Sequence, residues 1–150
     1  MRIAICADHA GLEMKDRIAA ALIESGHDIE DLGTYEYDPD DDYPDYVLPL
    51  AERVASGEFE RGICVCGSGI GAAIAANKVN GVRAAQVLDP LTARSSVEDN
   101  DVNILCLGSR ITEFELAWPM VLAFLDASYA AKPRKQRQLE LLGAIERGEV

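Results

Sequence analysis

Apolar and polar positions along this chain switch repeatedly between the two-residue period of a strand and the longer period of a helix. Residues 2–7 form an apolar run that predicts a first strand, and residues 12–25 follow with Met14, Ile18 and Leu22 on one helical face. A short strand is expected over 28–32. After an acidic loop, Val47, Leu50, Ala51 and Val54 mark a second helix. The same reading gives strand 62–66, helix 70–78, strand 82–87, helix 90–97, strand 103–107 and helix 113–129. A last amphipathic stretch, 134–147, carries Leu139, Leu142 and Ile145 in a stripe that a compact domain does not need; packing across a second copy is its simplest use. Five strands separated by helices predict an α/β fold with a parallel sheet covered on both faces and right-handed crossovers.

Ligands of such sheets bind beyond the carboxyl ends of the strands, so the residues after each strand are the candidate site. Asp8 and His9 follow the first strand, Cys66 to Gly71 the third, Asp89 the fourth, and Gly108, Ser109 and Arg110 the fifth. Gly67, Gly69 and Gly71 let backbone N–H groups approach a small anion ahead of a helix N-terminus, with the Cys66 thiol at the mouth. Asp8 fits a helix cap or a ligand contact; Arg110 fits a surface ion pair or an anion grip. Glu98, Asp99, Asn100 and Asp101 read as a polar turn before the fifth strand.

Several motifs fall short. The glycines of GSGIG recur at every second residue, so they make neither a dinucleotide fingerprint nor a Walker loop. Asp38, Asp40 and Asp42 have the spacing of the first EF-hand ligands, yet Tyr43 stands at the required glycine and Pro49 at the closing glutamate. That segment reads as a solvated acidic loop.

With 150 residues, 49% of them apolar, the chain can bury one good core, and a single domain over 1–150 is expected. The net charge of -12 argues against nucleic acid and anionic membranes, so any phosphate has to be captured by a local basic cluster. No long apolar span and no charged leader are evident, which leads to the expectation of a cytoplasmic protein. Cys6, Cys64, Cys66 and Cys106 then read as free thiols, and no second pair with zinc spacing accompanies them, so no metal is expected.

The motifs ADHAG (7–11), DLGTY (31–35), DYPDY (42–46), ICVCGSGIG (63–71), IAANK (74–78), NDVN (100–103) and LGSR (107–110) occur in an order that closely resembles the ribose-5-phosphate isomerase B family. That family also includes the galactose-6-phosphate isomerase subunits. The resemblance implies a three-layer, Rossmann-like αβα sandwich with an extended C-terminal helix and no cofactor. It also implies a homodimer or dimer of dimers, with active sites at the subunit interface. The implied reaction is aldose–ketose isomerisation of a phosphosugar through an enediolate. Such chemistry needs a base for a weakly acidic C–H, donors for an oxyanion and a grip on phosphate. By resemblance Cys66 is the base, and Ser68, where the family commonly has threonine, stabilises the enediolate. The amides of Gly67, Gly69, Ile70 and Gly71 surround the reacting end, and Asp8, His9 and Asn100 contact the sugar. Arg110 and Arg137 match basic residues of the binding site. Where some members carry a catalytic glutamate, this chain has Ala72.

Two departures stand out. Asp99 occupies the position where many ribose-acting members have a ring-opening histidine, leaving His9, Asp99 or spontaneous opening for that step. A tetrose 4-phosphate forms no such ring, so interconversion of erythrulose 4-phosphate and erythrose 4-phosphate stands beside ribose 5-phosphate to ribulose 5-phosphate, with a hexose 6-phosphate as a further option. The family's two arginines four residues apart are also rearranged, with Pro133 four before Arg137 and Arg134 and Lys135 nearby. The reading from another class is a non-catalytic phosphosugar-binding protein or an inert partner subunit.

Overall fold

The computed structural model describes residues Met1–Val150. Five parallel strands, β1 (Arg2–Ala7), β2 (Asp28–Asp31), β3 (Arg61–Cys66), β4 (Ala84–Gln86) and β5 (Ile104–Gly108), form one sheet in the order β2-β1-β3-β5-β4. The helices are α1 (Leu12–Glu24), α2 (Tyr43–Ala55), α3 (Ile70–Ala76), α4 (Pro90–Asn100), α5 (Phe114–Asp126) and α6 (Pro133–Glu146), with a single 3₁₀ turn at His9–Gly11. The expected three-layer αβα sandwich is the fold observed.

The central strands are buried on both faces, which is why their sequences are apolar throughout rather than alternating. On one side Ile3, Ile5, Ile63, Val65, Leu105 and Leu107 pack against α1, α4 and α5 through Ile18, Leu22, Val97 and Phe124. On the other, Ala4, Cys6, Cys64, Cys66, Ile104 and Cys106 meet α2 and α3 through Leu50, Val54, Ala72 and Ala76. Cys6, Cys64 and Cys106 lie in register across β1, β3 and β5, fully buried, with the Cys6 and Cys64 sulfurs 3.5 Å apart. Contact with Cys64 and burial push the Cys6 thiol up, while contact with Cys106 and burial raise Cys64. Both remain neutral and act as small core residues, as the sequence suggested.

Two boundaries differ informatively. Helix α4 continues past Val97 to Asn100, so Glu98, Asp99 and Asn100 form its last turn instead of a separate polar turn; Asp101, at φ 50°, ends it in the left-handed region. The apolar stripe stops at Val97, and a polar last turn carries no periodic signal. β4 is shorter than expected, as befits the edge strand of the sheet. Helix α6 forms over the expected span, but it buries none of its residues.

One polar residue sits where the stripe of α1 predicts only core. Lys15 is 1% exposed, and its Nζ reaches Asp31 Oδ2 at 2.6 Å and Asp16 Oδ1 at 3.0 Å. Burial pulls the Lys15 pKa down, but the hydrogen bonds to Asp31 and Asp16 more than offset it, so the ammonium is held above the usual lysine value. Asp31 also accepts from Gly33 N at 2.9 Å, and its carbonyl accepts from Tyr35 Oη at 2.7 Å. The pair thereby ties α1 to the start of the 32–42 loop. Lys15→Met, which strands the Asp31 carboxylate, is expected to lower unfolding free energy by about 3 kcal/mol in denaturant titration, the low end for a broken buried pair because Asp31 is partly solvated. The stabilisation from a raised lysine pKa is complete below the unfolded value and is lost as pH climbs through the folded one. The gap between wild type and variant therefore narrows above pH 10.5.

Candidate active site

β1, β3 and β5 end side by side, and the segments that follow them enclose an open cavity of about 340 Å³. Its wall contains Asp8, His9, Tyr43, Cys66, Ser68 and Arg110. Cys66, the last residue of β3, is 4% exposed, and its Sγ accepts the N–H of Gly69 at 3.1 Å. The loop that supplies this amide is held flat by two glycines. Gly69 adopts φ 78°, and a Cβ on Gly108 at the end of β5 would come within 2.5 Å of the Ser68 backbone. Ser68 Oγ accepts from Ile70 N at 3.2 Å, which leaves its own proton free for a ligand oxygen.

Asp8 does both things its position allowed: Oδ1 caps Gly11 N at 3.1 Å while the residue lines the cavity. Arg110 donates its backbone N–H to Gly67 O at 3.0 Å and rests its guanidinium against Gly67. No carboxylate pairs with that guanidinium, so the surface ion pair the acidic composition suggested is not made. In a chain of charge -12, an unpaired guanidinium beside backbone amides has the chemistry an anion requires.

Asp38, Asp40 and Asp42 are exposed, as expected of a solvated acidic loop, but Asp41 between them is not. The Asp41 side chain is 6% exposed and faces His9; its oxygens accept the His9 backbone N–H at 3.0 and 3.1 Å, and Oδ1 lies 2.5 Å from Nδ1. Asp8, His9 and Asp41 bring three possible ligand atoms within 4.8 Å of one another, but Asp8 is engaged by Gly11 and Asp41 by His9, a hydrogen-bonded cluster rather than a cage of free donors. Tyr43, at the start of α2, lies against Gly71 and completes the wall. Neither Asp41 nor Tyr43 carries a periodic signal, because both belong to a loop and helix start whose approach to β1 is a tertiary event.

Asp89, expected at the same edge, caps α4 through Thr92 N and Oγ1 and does not line the cavity. Asp99, Asn100, Arg134 and Arg137 do not meet Cys66 within the chain. Cys66 pairs with Gly108 at one end of β5, whereas Ile104 pairs with Gly62 at the other, and α4 delivers Asp99 and Asn100 to that far end. Four strand residues separate the two edges, about 13 Å at the usual rise. Asp99 is ion-paired there with Lys135 of α6 at 3.2 Å, while Arg134 and Arg137 on the same helix have no acidic partner.

A thiol, a hydroxyl, backbone amides and a free guanidinium at the carboxyl edge of a doubly wound sheet define an α/β protein equipped to hold a small polar anion and move a proton on it. The sequence model of the Ribose/Galactose Isomerase family matches residues 3–142. Ribose-5-phosphate isomerase B of Escherichia coli (strain K12) is 42% identical over 145 residues, which are 97% of this chain and 96% of that protein. Among solved structures, ribose-5-phosphate isomerase B of Clostridium thermocellum superposes with a TM-score of 0.95 at 42% identity, covering 100% of both chains. The Mycoplasma genitalium enzyme with bound ribulose-5-phosphate gives 0.93 at 35% identity over 97% of this chain and 96% of that one. This chain belongs to the Ribose/Galactose Isomerase family. Because Cys66 alone among the four thiols borders the cavity, iodoacetamide is expected to alkylate it first in the native protein, and a saturating sugar phosphate to slow that reaction, read by peptide mass spectrometry.

Proposed function

We propose that this chain is an aldose–ketose isomerase that interconverts ribose 5-phosphate and ribulose 5-phosphate. The observation that carries the reading is the Cys66 thiol at the mouth of a cavity that also holds an unpaired Arg110. Phosphate bound at Arg110 sets the sugar so that its C1–C2 end lies at Cys66. The Cys66 thiolate, steadied by the Gly69 N–H, takes the proton from C2; the hydroxyl proton passes from O2 to O1 while Ser68, steadied by the Ile70 N–H, and the remaining amides of the Gly67–Gly71 loop hold the enediolate oxygens; and Cys66 returns its proton to C1. Asp8 and His9 contact the hydroxyls between. The named relatives, one of them with ribulose-5-phosphate bound, support the choice of a pentose phosphate. Four reduced thiols fit a cytoplasmic setting, and no helix is long and apolar enough to cross a membrane.

The active unit is a homodimer, alone or as a dimer of dimers. Ile70 and Ile74 of α3, Leu88, Leu91, and Leu141, Leu142 and Ile145 of α6 are exposed apolar residues flanking the β4 edge. A second copy seated there covers them. It also offers a route by which Asn100, Arg134, Arg137 and Asp99, remote from Cys66 in their own chain, complete the site of the other. A 1–150 domain whose α6 grips its twin accounts for a helix that buries nothing at home.

The absence of a histidine at position 99 favours a second reading, a tetrose-phosphate isomerase, because Asp99 is engaged by Lys135 and a four-carbon substrate needs no ring opening. Side-by-side kcat/KM on ribose 5-phosphate and erythrose 4-phosphate separates them. Preference for the pentose is expected, with Cys66→Ala at least about 10³-fold slower on it, the scale of a lost general base. Tetrose preference replaces the substrate, and inactivity toward both sugars and a hexose 6-phosphate returns the chain to a binding or partner-subunit role. Subunit mixing checks the shared site. Cys66→Ala and Arg137→Ala chains, each inactive, are expected to recover about a quarter of wild-type activity when refolded together, since only mixed dimers hold one intact site. No recovery would place both groups in one chain's site.

A further inference from the structure

His9 is the only side chain of the cavity wall whose ring is gripped from behind by a carboxylate. Asp41 carries three hydrogen bonds from the same residue, two from the backbone N–H and one from the ring. An ionised carboxylate has no proton to give, so Nδ1 must be the donor, which fixes the neutral ring as the Nδ1–H tautomer. Nε2 has no partner in the chain. The ring is further braced edge-on by Tyr37, with centroids 5.7 Å apart and planes at 88°. Asp41 and Tyr37 both lie on the loop whose start is tied to α1 by Lys15 and Asp31, so the support behind His9 reaches the core.

We infer that Asp41 is a positioning residue: it holds the His9 imidazole with Nδ1–H bonded to its carboxylate, so that the Nε2 lone pair accepts a substrate hydroxyl. Arg110 has only donors and sits on the same stretch of wall, which leaves it the phosphate oxygens. Donor and acceptor are thus sorted between two neighbouring side chains before the ligand arrives. Removing the carboxylate frees the ring to present Nε2–H instead, a donor facing a hydroxyl whose proton then points the wrong way.

The inference rests on the isomerase reading for its kinetic part only. His9 and His27 are the sole histidines, so imidazole nitrogen-15 NMR of the ligand-free protein resolves both, with His27 as internal reference. The expected spectrum has His9 as the Nδ1–H tautomer in wild type and not in Asp41→Asn. On substrate, Asp41→Asn is expected to raise KM about tenfold, one lost hydrogen bond, with kcat changing less. In a His9→Gln background the same substitution is expected to add almost nothing, because the two act as one unit. An Nε2–H tautomer in wild type overturns the inference, as does a full additive penalty in the double variant. Should Asp41→Asn fail to fold, the wild-type spectrum still decides. A wild type that turns over none of the sugars overturns the isomerase reading alone and leaves the tautomer result standing.

Discussion

A parallel sheet covered by helices on both sides leaves no exposed face along its central strands, and every side chain of β1, β3 and β5 from the second residue onward is buried. Polar chemistry is therefore confined to the strand ends. At the carboxyl edge the backbone turns out of the sheet and its N–H groups, no longer used in the ladder, become available to a ligand. Asp8, Cys66 and Arg110 sit in three different segments of sequence and share one cavity because their strands are neighbours in the sheet.

The same constraint sends a second polar group to the opposite edge. α4 runs back across the sheet and releases Asp99 and Asn100 beside the start of β5, where Asp99 pairs with Lys135 of α6, the helix that also carries Arg134 and Arg137. Arg110 and these two arginines are unpaired in a chain carrying 26 acidic residues against 14 basic ones, so their freedom is not for want of partners. In the proposed dimer, two separated groups of unpaired arginines would serve one site if the far edge of one copy met the near edge of the other. Exposed leucines and isoleucines around β4 and on α6 are the apolar surface that the proposed assembly would cover.

A polar line of support runs from α1 to the cavity wall. Lys15, buried in the face of α1, holds Asp31; Asp31 orders the turn at Gly33; and the loop that leaves this turn returns to press Tyr37 and Asp41 against His9. An ammonium in a helix core is costly unless it is paired, and here two carboxylates accept from it within 3.0 Å. The loop's rigidity is thereby linked to the packing of α1.

Periodicity was enough to place all five strands and six helices within a few residues, because burial on both faces of a sheet and on one face of a helix imposes fixed repeats on apolar residues. The parallel arrangement, the glycine loop beside Cys66 and the family resemblance were legible for the same reason: each is written in contiguous residues. The last turn of α4, the burial of Asp41 and the place of Tyr43 were not, since polar residues have no period and a loop's partners lie far away in sequence. Only the tertiary structure decided that Asp41 stands behind His9 and that Asp99 and Asn100 lie across the sheet from Cys66. Strand order and helix direction set those distances, and they arise from packing the whole chain at once.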